Sequence, residues 1–136
     1  MAAAQQPRGL RNNNPLNIRH STDKWQGLAE CQNDSQFCQF RNIFYGIRAA
    51  FVIIKTYMTK YRCNTPESII TRWAPSNEND TEAYILAATK KAVLDRKERL
   101  SFSDKNKLCR LLWGMAFVEN GQEVPFNYFE RAYAMV

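Results

Sequence analysis

The feature that most constrains the fold is a run of apolar residues spaced three and four positions apart near the middle of the chain. Between residues 45 and 61 this spacing places the apolar side chains on one stripe of an α-helix. A helix with such a stripe is stable only when another surface covers it, so we expect the stripe to form core. Its members are Ile47, Ala50, Phe51, Ile54, Tyr57, Met58 and Tyr61.

Further segments carry the signals of helix starts, each with a capping residue or a proline before an apolar run. They predict helices over 65–73 behind Thr65 and Pro66, from Asp80 or Thr81 onward, over 104–119 behind the sequence SFSD at 101–104, and from Pro125 onward. The apolar faces of the third and last of these five predicted helices comprise Tyr84, Ile85, Ala88 and Ala92, and Phe126, Phe129 and Tyr133, respectively.

The N-terminal part of the chain has a different character. From Arg8 to Phe40 it is polar and rich in Asn and Gln, and Asn-Pro at 14–15 disfavours a helix. The segments 14–20, 25–31 and 35–40 are interpreted as short strands or irregular segments, and residues 1–7 as a flexible tail. We therefore predict one domain over 1–136, mainly α (α+β), with a small irregular or β-like N-terminal lobe.

The net charge of +6 favours an acidic partner such as nucleic acid, anionic lipid or bacterial cell wall. The basic residues are scattered, however, and a solvated basic surface is the simpler interpretation. No nucleic-acid-binding motif is present, so we do not expect nucleic acid as a partner. The longest strongly apolar stretch, 49–54, is too short to span a membrane, and we expect a soluble monomer.

The cysteines and the single histidine give no sign of a metal site. The four cysteines, which are Cys31, Cys38, Cys63 and Cys109, lack the paired spacing of a zinc site, and we expect neither a metal nor another cofactor. The first ten residues do not resemble a secretory leader, which predicts synthesis in a reducing cytoplasm and free thiols. Pairing of Cys31 with Cys38 after export is the alternative.

The sharpest chemical signal lies at the end of the fourth predicted helix. Its apolar stripe runs through Leu108, Leu111, Leu112, Met115 and Ala116, and the next position of that stripe is Glu119. A carboxyl group that is desolvated at the negative end of a helix resists ionisation, which suits a general acid. Gly121 is suited to end the helix. The alternative is that the helix ends earlier and Glu119 caps it or pairs with an arginine.

Several blocks together resemble one protein family. They are RGLRNNNPLNIR (8–19), Trp25 with Gly27, Phe37 and Phe40 with GIRA (46–49), RWAPSNENDTEAYI (72–85) and ENG (119–121). This set resembles a family of small phage and prophage proteins that are often labelled virion structural proteins and are related to lysozyme-like peptidoglycan hydrolases. In the wider superfamily an Asn-rich strand follows the helix that ends in glutamate. Here the Asn-rich block comes first, which suggests a circularly permuted lysozyme-like fold. Phe117 and Val118 depart from the polar or His residue usual before the glutamate.

The resemblance implies a bacteriolytic glycosidase that cleaves peptidoglycan. Glu119 would protonate the β-1,4 glycosidic oxygen between N-acetylmuramic acid and N-acetylglucosamine. A lytic transglycosylase needs no second carboxylate, because the muramoyl 6-hydroxyl displaces the leaving group. A hydrolase needs one across the cleft, for which Glu30 and Asp34 are candidates. Both reactions stay open, as does a non-catalytic cell-wall-binding or virion structural role. Phage lysis or an export system would bring the protein to the cell wall.

The remaining candidates would contact substrate through amide, aromatic or basic side chains. For each there is a structural alternative: turn and cap formation for the asparagines, core packing for the aromatic residues, and solubility for the arginine. The candidates are Asn13, Asn14, Asn17, Arg19, Trp25, Trp73, Asn77, Asn79 and Tyr84.

Overall fold

The structure, a computed structural model, describes residues 6–136 and is built from α-helices joined by loops. Strand pairing in that range is limited to two isolated antiparallel bridges, Arg19 with Phe37 and Leu28 with Phe40. The predicted mainly helical class is therefore confirmed. Of the predicted tail over 1–7, the first five residues lie outside the described residues. The helices are α1 (Arg8–Arg11), α2 (Ile43–Lys60), α3 (Pro66–Trp73), α4 (Thr81–Ala92), α5 (Lys105–Asn120) and α6 (Phe126–Tyr133).

The starts of α3 and α4 and the end of α5 follow from capping residues in the sequence. Thr65 and Ser68 form a reciprocal capping box at the start of α3, and the Asp80 side chain accepts a hydrogen bond from the backbone N–H of Ala83 in α4. Gly121 ends α5 in the left-handed conformation with φ 70°. These predictions are confirmed. The cap predicted from SFSD is wrong, because Asp104 precedes α5 without a side-chain hydrogen bond to it. Helix α2 begins at Ile43, two residues before the predicted start, because the Asn42 side chain caps it.

The core lies where α5 packs against α4 and α6, and α2 packs against α6. Gly114 permits the close approach of α5 to α4, since a Cβ atom there would lie 2.5 Å from the carbonyl oxygen of Ala88. The predicted stripe of α2 is buried apart from its C-terminal end. Tyr57 is half-buried, and Tyr61 is exposed, so its assignment to the core is wrong. It follows the last residue of α2, and the Arg72 guanidinium lies 3.5 Å from the centre of its ring at the surface. The largest fully buried side chains include Phe51, Ile54, Leu111, Leu112, Met115 and Phe129.

The N-terminal lobe is an irregular loop without a regular sheet, and both side-chain hydrogen bonds and scattered backbone hydrogen bonds hold it together. Asn14 is fully buried; its Nδ2 donates to the carbonyl oxygens of Ile18 and Cys38, and its Oδ1 accepts from the Ile18 N–H. The loop rests directly on the backbone of α2, because a Cβ atom at Gly46 would lie 2.0 Å from the carbonyl oxygen of Asn13. Asn14 thus supplements a very short antiparallel pairing, in which the Cys38 N–H also donates to the carbonyl oxygen of Ile18.

Two further observations concern membranes and cysteines. Among residues 6–136, no helix combines the length and apolar character that crossing a membrane requires. The four cysteines all lie in this range as free thiols, with Cys38 and Cys109 buried and Cys31 exposed.

We expect Asn14→Ala to lower the free energy of unfolding by about 3 kcal/mol, because it leaves buried backbone groups without partners. Urea unfolding followed by circular dichroism measures this difference. Asn127→Ala is the matched control, since Asn127 is exposed on α6 and should change stability by no more than about 0.5 kcal/mol. Equal effects of the two substitutions would contradict the structural role of Asn14.

Candidate functional site

Glu119 lies in the last turn of α5, where side chains from two other parts of the chain meet it. Its Oε1 accepts a hydrogen bond of 2.9 Å from Asn17 Nδ2 in the N-terminal loop. Its Oε2 accepts one of 2.8 Å from the Tyr84 hydroxyl on α4. The carboxyl group is half-buried, and no arginine or lysine within residues 6–136 forms an ion pair with it. Glu119 therefore continues the buried face of α5, as the apolar spacing predicts.

Burial raises the pKa of Glu119 above its ordinary value. Four neighbours lower the pKa of Glu119: the hydrogen bonds from Asn17 and Tyr84, the Trp73 side chain and the charge of Arg19. Together they lower the pKa by less than desolvation raises it. The same environment raises the pKa of the buried Tyr84 hydroxyl well above its ordinary value, first through burial and then through the nearby Glu119 charge. Tyr84 is therefore a fixed hydrogen-bond donor to the carboxyl group.

The N-terminal loop reaches Glu119 because close packing holds it against the end of α5. Asn120, which is buried, donates through Nδ2 to the carbonyl oxygens of Pro15 and Ala116, both at 2.8 Å. Asn17 adopts the left-handed conformation with φ 53°, which asparagine tolerates better than most residues. A Cβ atom at Gly9 would lie 2.6 Å from Asn120 Oδ1 and 2.9 Å from Asn17 Oδ1, so glycine is required there.

A cavity of about 190 Å³ opens in front of Glu119, between the N-terminal loop and the loop that joins α3 to α4. A second cavity of about 350 Å³ shares Asn17, Arg19 and Trp73 with the first. The first is lined by Asn17, Arg19, Phe37, Trp73, Ala74, Glu78, Asn79 and Glu119, and the second adds Ile18, His20, Ser21, Asp23, Trp25, Ile53 and Tyr57. The two cavities therefore adjoin, with the polar and aromatic side chains of Asn17, Arg19 and Trp73 between them.

The structure brings several predicted site residues together at these cavities. The cavity that contains Glu119 is also lined by Asn17, Arg19, Trp73 and Asn79. Trp25 lines the second cavity. Tyr84 lines neither cavity but donates a hydrogen bond to the Glu119 carboxyl group.

Three predicted asparagines have other positions. Asn13 donates to the carbonyl oxygen of Phe40, and Asn14 is the buried centre of the loop described above. Asn77 is exposed and lines neither cavity. The side chains of Asn13 and Asn14 therefore bond to backbone groups within the N-terminal lobe, as the alternative interpretation for the asparagines predicts.

The two carboxylates predicted as partners of Glu119 also lie outside its cavity. Glu30 is exposed and lines neither cavity. Asp34 receives hydrogen bonds of 2.7 and 2.6 Å from the Arg8 guanidinium. Arg8 holds the pKa of Asp34 well below its usual range, and donors from Gln36, Asn12 and Phe37 act in the same direction. Asp34 is therefore an ionised anchor of the N-terminal lobe.

Sequence reasoning missed Glu78, the second carboxylate of the Glu119 cavity. Glu78 lies in the SNEN part of the block RWAPSNENDTEAYI, just before the predicted helix start at Asp80 or Thr81. Its neighbour Asn79 is one of the residues predicted to contact substrate. In the sequence, the one feature that marks Glu78 as a candidate site residue is its position next to Asn79 in a polar segment.

The fold and the cavity define a mainly helical protein that presents a half-buried carboxyl group on a cleft of amide, aromatic and basic side chains. Over 126 residues the chain is 40% identical to Protein P5 of Pseudoalteromonas phage PM2, and the alignment covers 90% of this chain and 76% of that protein. The chain therefore belongs to the family of this phage protein. No family model matches the chain.

We expect Tyr84→Phe to raise the pKa of Glu119 further, because the substitution removes a hydrogen bond to the charged form. Titration of the Glu119 carboxyl carbon by ¹³C NMR measures the change. Tyr128→Phe is the control, since Tyr128 is half-buried against Phe44 and makes no contact with Glu119. A pKa that stays unchanged or falls in Tyr84→Phe would contradict the assigned hydrogen bond.

Glu119 should also make stability depend on pH in a defined direction. Its folded-state pKa is raised, so the folded protein binds more protons than the unfolded chain between the two pKa values. The contribution of this group to stability is therefore present at low pH, and it is lost as the pH rises from the unfolded value near about 4.3 through the folded value. In urea unfolding, the stability of Glu119→Gln relative to the natural protein should increase across this window and then level off. A difference that is independent of pH would exclude the raised pKa.

Proposed function

We propose that the protein is a peptidoglycan-cleaving glycosidase of lysozyme-like fold, a muramidase or lytic transglycosylase, with Glu119 as its general acid. The observation that carries the proposal is the Glu119 carboxyl group, which is desolvated enough to raise its pKa and yet borders an open cavity. A glycosidase needs such a group to protonate the leaving oxygen at neutral pH. The Asn-rich loop packs beside the end of α5 although it comes first in the chain, which supports the permuted arrangement.

The hydrogen bonds around Glu119 are compatible with both the protonated and the ionised form of its carboxyl group. Asn17 and Tyr84 each occupy one acceptor site of the carboxyl group, and further lone pairs stay available for a proton. After the proton moves to the glycosidic oxygen, the same two donors stabilise the carboxylate that is left. Because both donors are fixed before the reaction, this stabilisation needs no rearrangement of the site.

The surface around Glu119 matches the chemistry of a glycan strand. Asn79 is exposed and presents an amide that can both donate to and accept from N-acetyl and hydroxyl groups. The Asn17 amide instead serves Glu119, because its Nδ2 donates to that carboxyl group and its Oδ1 is buried. Trp73 lines both cavities and Trp25 lines the second, so apolar aromatic side chains border the surface on which a sugar ring would stack. Arg19 and the net charge of +6 favour an anionic wall polymer.

The phage relative supports a phage or prophage origin. We further propose that phage lysis or an export system brings the protein to the cell wall. The similarity to the phage protein favours neither hydrolysis nor the lytic transglycosylase reaction. A non-catalytic wall-binding or virion structural role is the alternative that the following experiment tests.

We expect Glu119→Gln to slow release of muropeptides from purified bacterial sacculi by a factor of about 10² to 10⁴, the range for loss of a general acid. Mass spectrometry of the released fragments measures the rate and identifies the ends. Glu130→Gln is the control, because Glu130 is an exposed carboxylate on α6 outside both cavities.

The outcomes separate the hypotheses. Undiminished cleavage by Glu119→Gln would show that another residue is the acid. Sacculi that the natural protein binds without releasing any fragment would favour the non-catalytic alternative. Anhydro-muramoyl ends would indicate a transglycosylase, and reducing ends a hydrolase.

A further inference from the structure

The loop between α3 and α4 brings a second carboxylate to the Glu119 cavity. Its own hydrogen bonds give the loop a defined shape: the backbone N–H of Glu78 and the Nδ2 of Asn79 both donate to the carbonyl oxygen of Pro75. The Thr81 hydroxyl also donates to the carbonyl oxygen of Ala74. Glu78 and Asn79 therefore line the cavity from a loop that is ordered by local contacts.

Arg19 connects this loop to the N-terminal lobe. One oxygen of Glu78 lies 3.8 Å from the Arg19 guanidinium, which also lies over the ring of Phe37 at 5.4 Å. The side chain of Glu78 is 56% exposed, so water reaches its carboxylate freely. Glu119 is half-buried and contacts only neutral donors, whereas Glu78 is hydrated and faces a cation. Such a difference in environment suits two carboxyl groups of one cleft to different roles, and an exposed carboxylate can reach a water molecule.

On the basis of the proposed function, we infer that Glu78 is the catalytic base that activates water, and that the reaction is therefore hydrolysis. In this step the oxygen of water forms a bond to the anomeric carbon while Glu78 accepts the proton that the water loses. The bond from the anomeric carbon to the glycosidic oxygen breaks, and its electron pair stays on the oxygen, which takes the proton of Glu119. The product is a reducing end whose new oxygen comes from water.

The other carboxylates near the cleft are less suited to this role. Asp34 is bound by the Arg8 guanidinium and lines neither cavity. Asp23 lines the second cavity, where it accepts a hydrogen bond from Ser21, but it does not line the cavity that contains Glu119. Glu78 is thus the carboxylate that shares one cavity with the acid.

The test uses the full chain and purified sacculi in H₂¹⁸O. The natural protein should release reducing ends that carry one ¹⁸O atom, and Glu78→Gln should release them at least about 100-fold more slowly. Added azide should restore cleavage by Glu78→Gln, because azide attacks the anomeric carbon without a base, and the fragments should carry a glycosyl azide. Glu130→Gln should match the natural protein, and circular dichroism verifies that each variant is folded.

Each other outcome has a distinct meaning. Anhydro ends from the natural protein, or reducing ends released by Glu78→Gln at the natural rate, would overturn the inference and leave the proposed function intact. Loss of activity without an azide product would also overturn it, as would azide rescue of Asp23→Asn instead. Absence of cleavage by the natural protein would overturn the proposed function itself.

Discussion

The contact between the Asn-rich N-terminal loop and the C-terminal end of α5 is the interaction on which the candidate site depends. Asn120 holds the carbonyl oxygen of Pro15, and the absence of a side chain at Gly9 lets the two segments meet. That packing brings Asn17 to the carboxyl group of Glu119 and covers one side of it. Burial and hydrogen bonding of the carboxyl group therefore have a common origin in this contact.

Two carboxyl groups held by this lobe show how strongly their partners decide their chemistry. Asp34 faces a guanidinium and backbone N–H groups, and these charged and fixed donors keep its pKa low. Glu119 faces an amide and a phenol, whose hydrogen bonds do not offset the loss of water, and its pKa is raised. An acidic side chain close to the N-terminal loop is thus an ionised anchor in one position and a group that resists ionisation in the other.

Features that depend on neighbouring residues could be predicted from the sequence, and features that depend on distant ones could not. The cap at Thr65 and the helix end at Gly121 are local, and both are correct. The N-terminal lobe is held by bonds such as that from Asn14 to Cys38, which no local pattern reveals. Glu119 was identifiable because a helical stripe leads to it, whereas Glu78 lies in a loop whose course depends on the whole fold.

The separation of the contacting segments along the chain has a consequence for folding. Asn17 and Glu119 are 102 residues apart, and Pro15 and Asn120 are 105 residues apart. Such non-local contacts close only after the intervening loops have been ordered, and they slow folding. During synthesis the asparagines leave the ribosome long before the glutamate does. In the nascent chain the Glu119 carboxyl group therefore lacks its contact with Asn17 until α5 has emerged and packed against the N-terminal loop, so the candidate site forms only in the assembled domain.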